Sequence, residues 1–310
     1  MTRLARPAAW TALALAAVAW LAPHAVGAPA AKGADLRLDG RFDDPSLPAD
    51  VLAVCRDVLA VFETRLGEPP LGTKPIVVRQ APDDEPRACL NGLPREYWIN
   101  ITCLHSRYYS QIVYQFGHEL GHVWQDPNAG GWFAESVATA MSHVCLAELG
   151  KKWKTSPPYP HWADYAPNFT KYRGDTLRDQ LNRLEVPSPD EAPDWLRAHL
   201  PARIRDGKVD RPEQAAGAVV IERALRKHPK AWGALARLGA VTKDGRVDFA
   251  RWHELVTEDE RPLVRDLADS FAPLQAEAGP PAPPKAPDPA PAPPARDSAA
   301  PPPNPAAKAP

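Results

Sequence analysis

The chain has 310 residues, enough for one sizeable domain, and a formal net charge of −1 at pH 7. Nothing in it approaches the Lys/Arg density that nucleic acid or an anionic membrane surface attracts, so charge excludes those partners and names no other. Its 38 prolines gather most densely beyond Gly279. That Pro/Ala-rich composition buries no surface, and a disordered tail is expected over 276–310.

Arg3 and Arg6 precede an apolar stretch from Ala8 to Ala22, followed by small residues from Ala25 to Ala30. The pattern predicts a signal peptide over residues 1–30, with a stretch too short to span a bilayer comfortably. The mature chain is then exported, periplasmic or secreted, with no stable membrane insertion after cleavage. Cys55, Cys89, Cys103 and Cys145 all fall in the mature part. An oxidising compartment makes two disulfide bonds the expectation; Cys89–Cys103 with Cys55–Cys145 is favoured among the three pairings.

Apolar residues from Val51 to Leu66 recur at helical spacing after Pro48, and Gly67 stops the run. Pro75 to Arg79 and the alternating Tyr97 to Thr102 read as strands, the second as an edge strand able to pair with an extended substrate. Tyr109, Ile112, Val113, Phe116, Leu120 and Val123 mark a long amphipathic helix from about Ser106 to Gln125. After turn signals at Asp126-Pro127 and Gly130-Gly131, a second helix runs from about Phe133 to Leu149. Residues 153–193, rich in Pro, Trp and Tyr, read as an irregular cover with one helix near Thr176 to Leu184. Helices follow around Pro212 to Lys227, Ala231 to Leu238 and Glu258 to Phe271. The fold class expected is α+β: a small sheet packed on a long helix, then a mostly helical C-terminal part. Residues 31–190 form the first domain in this reading and 191–275 a helical C-terminal subdomain.

The long helix carries His118-Glu119-Leu120-Gly121-His122. Imidazoles four residues apart lie about 40° apart around a helix axis, where both reach one ion. They fall opposite Phe116 and Val123, in company with Gln111 and Gln115. Glu119 beside them is placed to act as a base toward a metal-activated water. Catalytic zinc takes three protein ligands, so one more is owed. Glu135 is the first candidate, because the Gly130-Gly131 loop lets the chain reverse and bring the next helix's first acidic residue back to the metal. It shares a face with the small residues Ala138, Thr139 and Ser142, which permit close helix approach. His143, His161 and Asp126 remain as alternatives. Tyr159, His161, Tyr165 and Tyr172 are candidate oxyanion donors.

The sequence HELGH followed by WFAES resembles the gluzincin group of zinc metallopeptidases, in particular its small peptidase-MA-like members, over about Arg95 to Glu148. The resemblance implies a zincin-like fold, zinc bound by His118, His122 and Glu135, and Glu119 as general base. Two features depart from the thermolysin-like pattern: a shorter interval between His122 and Glu135, and Ala134 where an Asn precedes the ligand Glu. The metzincin pattern fails at Gln125 and Asn128. The expected function is hydrolysis of peptide bonds in a protein or peptide substrate by an exported zinc metallopeptidase. The alternative is a non-proteolytic zinc-binding module of the cell envelope. No oligomeric state is specified.

Overall fold

The computed structural model describes residues 35–279 except 68, 70–71, 82–85, 90–94 and 127–128. The expected signal peptide, and the tail beyond residue 279, lie outside the described residues. Strand β1 (Leu36–Asp39) leads into helix α1 (Leu47–Leu66). Pro48 fits the first turn of α1, where its missing N–H costs nothing, and Gly67 ends it at φ 75°. Val51, Val54, Val58 and Phe62, three or four apart, form its buried stripe.

Strands β2 (Ile76–Gln80), β3 (Arg87–Cys89) and β4 (Tyr97–Ile101) complete a four-stranded sheet in the order β1-β2-β4-β3. The first two pairings are parallel, with Leu36 opposite Ile76 and Ile76 opposite Tyr97; β3 is antiparallel, with Ala88 opposite Ile99. β4 is therefore interior, not the edge strand expected: β2 pairs with one side of it and β3 with the other. The two strands sequence reading missed, β1 and β3, are the sheet's edges. Each is four residues or fewer, too short to set up a visible alternation.

Helix α2 (Tyr109–Gln125) packs on α1, β3 and β4, and its buried face, Ile112, Val113, Phe116, Leu120 and Val123, follows the stripe read from sequence. Helix α3 (Trp132–Lys152) is buried on nearly every side, against α2, α1, α4 and α6. Small residues all round, such as Ala134, Ala138 and Ala140, make it the central helix rather than a surface one.

The segment expected to be an irregular cover is largely helical. A 3-10 turn at Pro160–Tyr165 runs directly into α4 (Ala166–Arg183). Its aromatics are packing residues: Trp153 stacks on Trp162 at 5.1 Å and meets Phe169 edge-on at 4.8 Å. Pro167 occupies the helix's first turn, where proline starts a helix instead of breaking one. Helices α5 (Ala192–Arg205), α6 (Arg211–Lys227) and the short α7 (Leu238–Val241) follow. A hairpin of β5 (Thr242–Lys243) and β6 (Arg246–Val247) comes next, then α8 (Phe249–Leu255) and α9 (Arg261–Ala278). α5, the hairpin and α8 lay outside the expected elements, and α9 carries helix past residue 276, where the tail was expected to begin. No helix among the described residues is long and apolar enough to cross a membrane.

Cys55, Cys103 and Cys145 are buried free thiols, so neither expected bridge, Cys55–Cys145 or Cys89–Cys103, is formed. Burial pushes all three above the ordinary thiol range. The side chain of Cys89 lies outside the described residues.

Candidate metal centre

The HELGH segment lies in the last three turns of α2, and the spacing of α2 from α3 decides what its histidines meet. Gly121, between the two histidines, lies so close to α3 that an added Cβ would sit 3.0 Å from Ala138 Cα, well inside ordinary carbon contact. The face of small residues read from sequence is thus the contact face. Glu135 is one turn before Ala138, so the same close approach carries its carboxylate to the histidines. The loop between the helices ends at Gly131, whose φ of 90° favours glycine. That loop is pressed against the β5–β6 turn: a Cβ at Gly131 would fall 2.6 Å from Gly245 Cα.

His118, His122 and Glu135 converge. His118 Nε2 lies 3.1 Å from Glu135 Oε2, His122 Nε2 lies 3.3 Å from His118 Nε2, and His122 Nε2 lies 3.5 Å from Glu135 Oε1. Two imidazole nitrogens and a carboxylate aimed at one another require a proton or a cation between them. Zinc held at 2.0–2.2 Å in tetrahedral geometry separates its donors by about 3.3 Å, so this triangle fits such an ion. The electrostatics point the same way. Burial alone would lower His122 and raise Glu135, yet the carboxylates of Glu135 and Glu119 hold His122 above its ordinary value. The two imidazoles hold Glu135 well below the carboxylate range. Among the described residues this is the one cluster of three His, Cys, Asp or Glu side chains with ligand atoms close enough for a metal.

Glu119, 4% exposed, borders a cavity of about 450 Å³ together with His118 and Glu135. Gln111 and Gln115 line it too, as their shared helix face required. Gln115 also ties α2 to the sheet: its Oε1 accepts from Thr102 N at 2.8 Å and its Nε2 donates to Thr102 Oγ1 at 2.7 Å.

Of the four candidate oxyanion donors only Tyr172 lines the cavity. The Tyr165 hydroxyl accepts from Ser110 N at 3.1 Å, a structural role at the start of α2. Tyr159 and His161 stack on each other beside Trp162. Asp126 ends α2 at φ 77°. His143 is not in the cluster. It is 1% exposed, its Nδ1 lies 4.0 Å from Glu222 Oε2, and neither ring nitrogen makes a hydrogen bond. Glu222 is already engaged by Arg173, whose Nη2 donates to its two oxygens at 2.6 and 2.7 Å.

Sequence reading missed Tyr114, Gln180, Arg211 and Gln214, which also line the cavity. Tyr114 was accessible, since it stands four residues before His118 on the same helix face. Arg211 and Gln214 come from α6, with no local pattern to mark them. Compared with known proteins, the chain matches no family model, no curated protein and no solved structure.

Proposed function

We propose that this chain is an exported zinc-dependent metallopeptidase of the gluzincin, peptidase-MA-like kind, with a zincin-like arrangement of sheet and metal helix. The observation that carries the reading is the convergence of His118, His122 and Glu135 on one point beside Glu119. A structural zinc site closes its fourth position and has no use for a base. Here an acidic side chain that is not among the three donors borders the same cavity.

His118, His122 and Glu135 would hold the ion, which when bound polarises a scissile carbonyl and makes water nucleophilic near neutral pH. Glu119 would take up the proton released on attack and pass it to the leaving amine, and its burial keeps bulk water from competing for the transfer. Burial raises the Tyr172 phenol above its ordinary value and Tyr114 to about 12. Both therefore keep their protons at neutral pH and remain hydrogen-bond donors toward a developing oxyanion. With β4 in the sheet's interior, β3, the edge strand that packs on α2, is the one placed to pair with an extended peptide.

Zinc content of the purified protein tests the reading, with wild type beside His118→Ala, Glu135→Ala and Glu119→Gln. One zinc per chain is expected in wild type and Glu119→Gln, with loss in the other two. Peptide hydrolysis is expected in wild type, reduced at least about a hundredfold in Glu119→Gln. A wild-type protein that takes up no zinc on reconstitution would refute the proposal, and full retention in Glu135→Ala would refute the third ligand.

A further inference from the structure

The cavity beside the metal donors has a second pole. Apart from His118, Glu119 and Glu135, the one charged side chain among its described lining residues is Arg211, at the first turn of α6. The rest is largely neutral and polar, including Gln111, Gln115, Gln180, Gln214, Thr139 and Thr176. Other arginines of this neighbourhood are committed: Arg173 to Glu222, Arg203 to Glu213 and Arg223 to Asp190. The Arg211 guanidinium has no hydrogen bond or ion pair with the described residues. The capping box of α6 is closed by Asp210 and Glu213 without it, so Arg211 is not needed to start its own helix.

Resting on the peptidase reading above, we propose that Arg211 binds a carboxylate of the substrate and makes this a peptidase selective for an acidic group near the scissile bond. A guanidinium presents a planar fork that matches a carboxylate. Arg211 lines the same cavity as the metal donors and Tyr114, one turn before His118 on α2, so a carboxylate that it holds belongs to a substrate lying in the same cavity as the scissile bond. Glu119 lines the same cavity, and its carboxylate repels an anion placed beside it. The substrate is thereby oriented as well as held.

The shared chemistry is a carboxylate, and its two sources are a peptide C-terminus and an Asp or Glu side chain. The zinc-reconstituted protein is assayed on quenched peptides of one sequence in three forms: free acid, C-terminal amide, and amide carrying Glu near the scissile bond. In wild type, KM is expected to be lower by about tenfold for a carboxylate-bearing form than for the plain amide, the scale of one charge-assisted hydrogen-bonded pair. Arg211→Gln should abolish that difference, and Arg211→Lys should restore part of it. A preference for the free acid assigns the C-terminus; one for the Glu form assigns the side chain. A second readout is independent of turnover: calorimetric binding of an N-acetylated dipeptide, as acid and as amide, to the zinc-loaded Glu119→Gln protein. Equal binding of acid and amide together with equal KM for the plain and Glu-bearing amides, or a preference that survives Arg211→Gln, overturns the carboxylate site even if peptides are cut. Acid selectivity lost in Arg211→Gln upholds it even if none of these peptides is cut, in which case only the peptidase reading fails.

Discussion

His143 stands behind the cavity wall, and its burial carries a definite pH signature. Burial pushes its imidazole from 6.5 down to about 4. Glu222 is 4.0 Å away and works against that shift, but the two short bonds from Arg173 already engage its charge. Native His143 is therefore neutral. Below pH 6.5 the unfolded chain takes up a proton that the native chain refuses, so stability falls as pH drops from 6.5 towards 4. The difference between those two values amounts to about 3 kcal/mol. His143→Leu has a similar volume, removes two ring nitrogens that make no hydrogen bond, and should be at least as stable at pH 7. Urea unfolding at pH 7, 6, 5 and 4, with chelator present, is compared between wild type and variant. Titration of His118 and His122 occurs in both proteins, and the His118 charge enters the His143 shift only as the smallest of its causes. The gap should widen by about 3 kcal/mol in favour of the variant as pH falls, and parallel pH profiles would refute the reasoning. The variant should also keep its zinc, because His143 lies outside the donor cluster.

Two further perturbations probe the framework. Gly121→Val drives a branched side chain into Ala138, already 3.0 Å from an added Cβ. It should cost about 1–3 kcal/mol of stability and weaken zinc binding measured by chelator competition, because Glu135 moves with α3; an unchanged zinc affinity would show that the donors tolerate a wider helix spacing. Arg173→Leu leaves the Glu222 carboxylate, 3% exposed, with only the longer 3.5 Å ion pair to the exposed Arg226, and should cost up to about 3–5 kcal/mol in chemical denaturation. The double variant with Glu222→Leu should recover much of that loss, and equal losses in single and double would sink the buried-pair argument.

Much of the site is legible in the sequence because one helix writes its chemistry locally. The stripe from Ile112 to Val123 defines the buried face of α2, and the opposite face then has to carry His118, His122, Gln111 and Gln115 together. Glu135 follows from the turn signals and the small residues after it, again within one helical hairpin. Legibility fails where the information is non-local. β4 reads the same whether β3 covers its edge or not, and three residues, Arg87–Cys89, decide the matter. The aromatics around α4 mislead because Trp153, Trp162 and Phe169 find one another only in three dimensions. Arg211 and Gln214 enter the cavity because α6 packs on α3 and α4, which no window of sequence around α2 contains.

The seat of the Gly131 loop on the turn at Gly245 has a consequence for how the centre comes into being. Both histidines and Glu135 are synthesised before the hairpin that braces their loop, and before the helix that supplies Arg211. Closing such a distant contact is the slow, entropically costly kind of step. A nascent or truncated chain ending short of Gly245 would hold the donor residues without the brace that seats the loop between them. The centre is then completed late, once the whole domain has been made, and until then its donor residues stand without the brace that seats them.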